Sequence, residues 1–459
     1  MDIGPGYVRI LLEVGRDKDG RLAQAAELLL SGRSTVDILT PLANVLNRNG
    51  LIIDTEFGAI PVGDGVDTVS VSPAQFDPAS SGRFVLRAYL RATRDEVPRT
   101  INEGVVYSDP SINVHLTGAT SPPVGETSDV QAKLDVATLE QYGLDGSGVA
   151  IAVVDTGIFL PRLTKRLGRA PNFDRSRSWS PSGVVTPPGK HRLGHGTMCA
   201  YDALIAAPNA TLLDIAMLIA RPSGDHSAAA TVSAAVQAYW PLIDHWVLGP
   251  AVRKQQPKFH SLVINNSWGI LHPSLDLSPG HPGRFIDNPN HIFRLLVRVL
   301  VAMGVDIIFA ASNCGPECPT AVCLGRTSEM IMGANSYDEV LTLAGCEIHD
   351  QRVGYSSVGP SIANMPPNKP DLTAYTHFLG SKVASGCSPD SGTSAASAVA
   401  AGCVAALRTR ASAQTIPPPA LFHALKDTAR KVAGSKWDPG YGHGIIRPVD
   451  AARYLGLIP

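Results

Sequence analysis

A mostly parallel α/β sheet preceded by a small α+β unit is the architecture that the sequence predicts, and three observations predict it. Beyond residue 145, apolar runs such as "GVAIAVVDTG", "ATLLDIAML", "FHSLVINNSWG", "GVDIIFAASN" and "VLTLAGC" alternate with stretches of helical spacing. Strands covered on both faces need continuous apolar runs of this kind, whereas half-exposed strands alternate apolar and polar residues. Second, 459 residues exceed what one hydrophobic core usually holds, so a large domain and a smaller one are expected. Third, "TGATSPPVGETSD" at 117–129 is polar, rich in Pro and Gly and free of hydrophobic period, which marks a linker. The expected division is therefore 1–116, a linker at 117–129, and 130–459.

In the first part, "YVRILLEV" reads as a strand, and "TVDILTPLANVLNRNG" at 35–50 has helical apolar spacing that stops at Gly50. "LIIDTEFGAIPV" and "RFVLRAYLRA" read as strands again. A charged helix around 94–103 and a last strand in "VVYSDPSINVHL" complete a β-α-β-β-α-β, ferredoxin-like order, with 22–30 an additional helix candidate.

Composition removes several functional classes. The net charge is −1, and 17% of residues are charged, so no electrostatic footprint for nucleic acid or an anionic membrane surface exists. No segment offers ~18 consecutive apolar residues, so no membrane span is expected. "MDIGPGYVRILLEVGRDKDG" lacks a basic n-region and is not read as a signal peptide, which makes a cytoplasmic protein the expectation. Its seven cysteines are accordingly read as reduced thiols. Cys314, Cys318 and Cys323 lie close together, but their spacing fits none of the common zinc patterns, so a cysteine-containing loop and no metal site is expected. No cofactor is implied, and structural calcium is not readable from the sequence.

Three glycine-punctuated stretches hold an acid, a histidine and a serine. Asp155 ends the apolar run of "AVVDTG", and the C-terminal ends of parallel strands are where α/β sites are built, although an aspartate there also serves as a turn cap. His195 sits between two glycines in "LGHGTMCA". Ser394 follows Gly392 and Thr393 and precedes "AASAVAAGCVAAL", a segment apolar on nearly every side and hence a buried helix. At the start of that helix, the macrodipole and free N–H groups favour developing negative charge.

The chain order Asp, His, Ser is that of the subtilisin triad. From about residue 130 onward the sequence resembles the subtilisin-like serine proteases, the subtilases. "VAIAVVDTGI", "GHGTMCA" and "DSGTSAAS" are similar to the aspartate, histidine and serine blocks. "APNATLLDIAML", "VINNSWG", "YSSVGP", "KPDLTAY" and "GYGHGIIRPVDA" resemble further blocks in the expected order. Cys199, one helical turn after His195, matches the thiol-containing branch, with its cysteine beneath the catalytic histidine.

The resemblance implies a three-layer subtilisin-like fold and a serine endopeptidase acting on protein or peptide. It implies Ser394 as nucleophile, His195 as general base and acid, and Asp155 as the group that orients His195. "FAASNCG" nominates Asn313 for the oxyanion hole, and Ser267, Trp268 and Gly269 facing Ala310, Ala311 and Ser312 are the implied walls of the pocket for the residue before the scissile bond (P1). The N-terminal unit then corresponds to a propeptide with self-cleavage within 117–129, or to a retained regulatory domain. A processing protease or peptide-cyclising transamidase, and a peptide-binding pseudoprotease, remain open as alternatives; the oligomeric state is not set. One departure stands out: the family's usual Met-Ala-x-Pro-His after the serine is here Ala395, Ala396, Ser397, Ala398 and Val399.

Overall fold

The structure, a computed structural model, describes residues 6–15, 26, 50–62, 76–77, 81–101, 104–114, 121–219, 229–383, 388–432, 434 and 436–459. They form two units. The first comprises Met1–Ser111, Thr231–Gln256 and Pro273–Val299; the second comprises Ile112–Ala230, Pro257–His272 and Leu300–Pro459. The second unit thus takes in 112–116 from the expected N-terminal part, while 231–256 and 273–299 join the first.

The first unit is built on strands β1 (Tyr7–Gly15), β2 (Leu51–Ile53), β3 (Ile60–Pro61), β4 (Arg83–Arg91), β5 (Thr100–Ile101) and β6 (Gly104–Ser108). They form a sheet in the order β2-β4-β1-β6-β5, with β3 also on β4. All these pairings are antiparallel. The four main strands lie in the order β2-β4-β1-β6, which is the ferredoxin-like arrangement. Ile10, Leu12 and Val14 of β1 and Phe84, Leu86, Ala88 and Leu90 of β4 share one core, as the period of two along a strand requires.

Two expectations change here. The charged helix at 94–103 is a single 3₁₀ turn, Arg94–Glu96, followed by β5. The Glu96 carboxylate accepts from both the N–H and the hydroxyl of Thr93, which closes a short turn without an apolar face to carry a longer helix. "VVYSDPSINVHL" is not one strand: β6 ends at Ser108, and β7 (Ser111–Asn113) pairs elsewhere, after a proline that offers no N–H to a ladder. The helix candidates in 22–30 and 35–50 fall almost wholly outside the described residues.

The second unit is a six-stranded sheet of β8 (Val149–Val154), β9 (Thr211–Ile215), β11 (Ser261–Asn266), β12 (Asp306–Ala310), β13 (Leu341–Cys346) and β14 (Leu372–Tyr375). Its order is β14-β13-β12-β11-β8-β9, parallel throughout. A separate ladder pairs β7 with β10 (Ala229–Thr231). Every residue of β8, β11, β12, β13 and β14 is buried, so both sheet faces are covered, giving three layers. From β8 the chain moves outward to β9 and then returns to β11 on the other side of β8. That reversal makes the C-terminal ends of β8 and β11 a topological switch point, where open α/β sheets hold their sites.

Three helices matter for the site: α1 (Leu160–Leu167), α2 (Gly194–Ala203) and α3 (Gly392–Arg408). All seventeen residues of α3 are buried. Their alanines keep it slim, and a Cβ on Gly402 would stand 2.2 Å from the Ala203 carbonyl oxygen, so this glycine is what lets α3 lie against the end of α2.

At the end of α3, Arg408 is fully buried and binds Asp306 at the start of β12 through Nε (2.6 Å) and Nη2 (2.8 Å). Its Nη1 donates to the carbonyls of Ala411 and Ile416. Removing one partner of such a pair leaves an uncompensated buried charge, so Arg408→Ala is expected to cost about 3–5 kcal/mol in chemical denaturation. A loss below about 1 kcal/mol would show that the pair is not needed to close the helix onto the sheet. Among the described residues no helix is long and apolar enough to cross a membrane.

Candidate active site

Asp155 is the residue after β8 and has no exposed surface. Its N–H is held by the Ile215 carbonyl, and its Oδ1 accepts from the N–H of Thr156 at 2.6 Å. His195 is the second residue of α2, with a side chain 10% exposed. Its Nδ1 lies 2.8 Å from Asp155 Oδ1 and 2.9 Å from Oδ2. The turn after Asp155 and the first turn of α2 are also joined directly: Gly196 N–H donates to Thr156 Oγ1 (2.9 Å), and Phe159 N–H to Thr197 Oγ1 (2.9 Å). Contacts between segments about 40 residues apart therefore seat the imidazole on the carboxylate.

Ser394 lies in the first turn of α3, after Gly392, whose φ of +83° is a conformation that other residues rarely adopt. Its carbonyl accepts from Ser397 Oγ (2.9 Å) and Ser267 Oγ (3.3 Å), and these two hydroxyls lie 3.1 Å apart. Ser397 thus ties the serine turn to the end of β11. No motif pointed to it, because its role rests on a neighbour 130 residues away.

Asn313 is buried three residues beyond β12. Its Oδ1 accepts from both the N–H (2.9 Å) and the hydroxyl (3.0 Å) of Thr393, the residue before Ser394. With the carbonyl end of the amide bonded there, Nδ2 is the donor end of the side chain. Asn313 and Ser394 line the same cleft.

That cleft is lined by Ser267, Trp268, Gly269, Ala310 and Ser312, as nominated, and also by Ile270, Met330, Met332, Asn335 and Thr393. Trp268 is both wall and core: it is 2% exposed and sets its ring edge-on against Phe309. Ala311 is a correction. It is fully buried and outside the lining, and its N–H donates to the Leu343 carbonyl just past the end of β12. Asn335 holds the walls together, its Nδ2 donating to the carbonyls of Trp268 (3.0 Å) and Ala310 (2.8 Å). Met330, Met332 and Asn335 come from a segment without a recognisable pattern, so sequence reading missed them.

The Cys199 thiol sits under the pair, 3.7 Å from Asp155 Oδ2, 3.9 Å from His195 Nδ1 and 3.4 Å from Ser267 Oγ. Complete burial, and then the Asp155 charge, push its pKa well above the usual thiol value, so it remains a protonated packing group. Asp155, His195 and Cys199 also form the one His/Cys/Asp/Glu constellation at ligand spacing among the described residues, and two of its members already bind each other.

The cysteine loop departs from expectation. Cys314 and Cys323 form a disulfide, with Cα atoms 5.7 Å apart, rather than two reduced thiols. A single 3₁₀ turn, Ala321–Cys323, brings the chain back onto itself within bridging distance, a closure that residue counting does not reveal. Cys318 remains a free, exposed thiol.

One further contact bears on the cleft. Asn113 of β7 pairs antiparallel with Gly269: the Asn113 N–H donates to the Gly269 carbonyl (2.9 Å), and the Gly269 N–H to that of Asn113 (3.1 Å). An extended segment adding to a free strand edge is how peptides are held by main-chain bonds.

An aspartate-bound histidine, with a serine at a helix start and an asparagine lining one cleft, is the arrangement that a serine-type peptidase site requires. The subtilase family model matches residues 146–444, and the chain belongs to that family. It is 31% identical over 175 residues to the human membrane-bound transcription factor site-1 protease, covering 37% of this chain and 15% of that protein. The mouse protein of the same name is 26% identical over 322 residues, 68% of this chain and 26% of the relative. Subtilisin-like protease SBT6.1 of Arabidopsis thaliana is 30% identical over 178 residues, 37% of this chain and 16% of the relative. The chain thus spans between 15% and 26% of the length of these relatives. Among solved structures, MycP1 with its N-terminal propeptide removed matches at 21% identity with a TM-score of 0.45, covering 70% of this chain and 96% of that one.

Proposed function

We propose that the chain hydrolyses peptide bonds through Asp155, His195 and Ser394. Ser394 Oγ attacks the scissile carbonyl while His195 Nε2 takes its proton; the same proton passes to the leaving amine, and water then releases the acyl group from Ser394. Asp155 keeps the Nδ1 proton in place, and the Asn313 side chain with the Ser394 N–H receives the oxyanion. The observation that carries this reading is the Asp155–His195 pair at 2.8 Å beside a serine at the start of a buried helix.

Substrate class follows from the pocket. Among the described residues no charged side chain lines it, and Ile270, Met330 and Met332 give it an apolar wall. A charged P1 side chain would be desolvated there without a partner, so an uncharged apolar P1 is expected to be preferred by at least about tenfold in kcat/KM. A fluorophosphonate probe and a peptide library test both points. Labelling at Ser394 with apolar P1 selection supports the reading; no labelling of folded protein overturns the peptidase, and selection of Lys, Arg, Asp or Glu overturns the assigned pocket.

The pairing of Asn113 with Gly269 supports a propeptide role for the N-terminal part, self-cleaved downstream of β7. The Cys314–Cys323 disulfide favours an oxidising compartment over the cytoplasmic expectation. A dedicated processing protease is the second reading, favoured by the names of the matched relatives; a digest cut at a few sites rather than many separates it from general hydrolysis.

A further inference from the structure

Two buried carboxyl groups outside the triad lie beside both of its moving parts. Asp202 follows His195 and Cys199 on α2 at helical spacing, so the three share one stripe of the helix. Asp390 lies in the segment that enters α3, four residues before Ser394. Asp202 has no exposed surface and Asp390 is 2% exposed. Their side chains are within hydrogen-bonding reach of each other.

Asp390 is anchored from its own side. Its Oδ1 accepts from Ser381 Oγ at 2.6 Å, its Oδ2 accepts from Ser381 N–H, and its backbone is paired with His377 and Phe378. Asp202 is not: neither of its oxygens has a donor. Two carboxylates are both acceptors and cannot bond to each other, and an ionised, unpaired carboxylate at full burial is too costly to persist. A proton on Asp202, donated to Asp390, satisfies both.

We propose that Asp202 and Asp390 share one proton, and that this bridge is a positioning device holding the serine turn against the histidine helix. The proposal rests on the peptidase reading above, since its effect on catalysis acts through His195 and Ser394. Neither aspartate touches the reacting atoms. While the proton is present, the entry to α3 is clasped to the far turn of α2. When it leaves, two buried negative charges repel each other and the clasp opens.

The surroundings set the direction of the pH effect. Burial, followed for Asp202 by the charge of Asp390, raises the pKa of both groups above the usual carboxylate range. Among the described residues, the charged and titratable groups facing them are Arg166, Tyr201 and Cys199. Arg166 of α1 donates to the Gly380 carbonyl, lies over the Tyr201 ring and holds Asp390 down slightly. Tyr201 and Cys199 both stay protonated. A raised carboxyl means that the folded chain binds more protons than the unfolded one. This contribution is complete below the unfolded value near pH 4 and is lost as pH rises toward the folded value.

Asp202→Asn tests it in the full chain, because its amide donates to Asp390 at every pH. The melting temperature of D202N minus that of wild type should widen steadily from pH 4 to pH 9. The alkaline fall in wild-type kcat should be absent in D202N, with KM within twofold. Asp202→Ala, which removes the donor, should show at least a fivefold lower kcat than D202N at neutral pH with KM retained.

A melting difference independent of pH, superimposable kcat profiles, or equal kcat for D202A and D202N would overturn the proposal. So would a melting temperature that EDTA lowers in wild type but not in D202N, since a cation would then occupy the proton's place. If D202N fails to fold, Asp390→Asn removes the same titration and takes its place in each comparison. The melting comparison needs no turnover, so it separates failure of the clasp from failure of the peptidase reading.

Discussion

Ser394→Ala is expected to lower kcat by about 10⁶, the scale found when the nucleophile of subtilisin is removed. The residual activity would still exceed the uncatalysed rate by about 10³–10⁴, because Asn313 and the cleft continue to bind the strained carbonyl. The fold should be untouched. Among the described residues Ser267 and Ser397 hold the Ser394 backbone carbonyl, which alanine keeps. The melting temperature of the variant should therefore match wild type within a few degrees. Adding His195→Ala to this variant should cost little more, since the base has no nucleophile left to serve. Mass spectrometry of the same pair tests processing: a shortened wild type beside a full-length S394A supports self-cleavage, and equal full-length masses overturn it. Loss of less than tenfold in kcat would remove Ser394 from the nucleophile's place.

Asp155→Asn should have the second largest effect, about 10⁴ in kcat with KM little changed. Both oxygens of Asp155 face His195 Nδ1, and Oδ1 also accepts the Thr156 N–H. In the variant the Thr156 N–H still requires an acceptor at Oδ1, which places the amide Nδ2 at the Oδ2 position, opposite a ring nitrogen that must itself be a donor for catalysis. The imidazole then favours the tautomer with its proton on Nε2, where it can no longer accept from Ser394. Fluorophosphonate labelling should slow by a similar factor, and the melting temperature should separate this defect from unfolding. A variant within tenfold of wild type would show that the carboxylate does not set the tautomer.

The proposed triad was legible because each member carries a local signature. Asp155 ends a run of apolar residues, His195 and Ser394 start helices beside glycines, and such features lie within a few residues of sequence. Ser267, Trp268, Gly269, Ala310 and Ser312 were legible for the same reason, as they continue strands directly. Ala311 was misplaced because a block of three neighbours was assigned to one wall, whereas β12 ends at Ala310 and the backbone turns at Ser312, whose φ is +79°. The charged stretch at 94–103 was misplaced because a Thr93–Glu96 contact closes a single turn that propensity alone extends.

What the sequence by itself determined was the class: parallel strands, the order of acid, histidine and serine, and the helix that carries the serine. Those properties depend on neighbours in the chain. Only the tertiary structure decided the rest. It brought Met330, Met332 and Asn335 under the P1 pocket and set Ser397 on Ser267. It also closed Cys314 onto Cys323, and it buried Asp202 against Asp390 across 188 residues of chain. Such contacts leave no local trace, because a buried polar group is defined by its partner, and the fold alone chooses the partner.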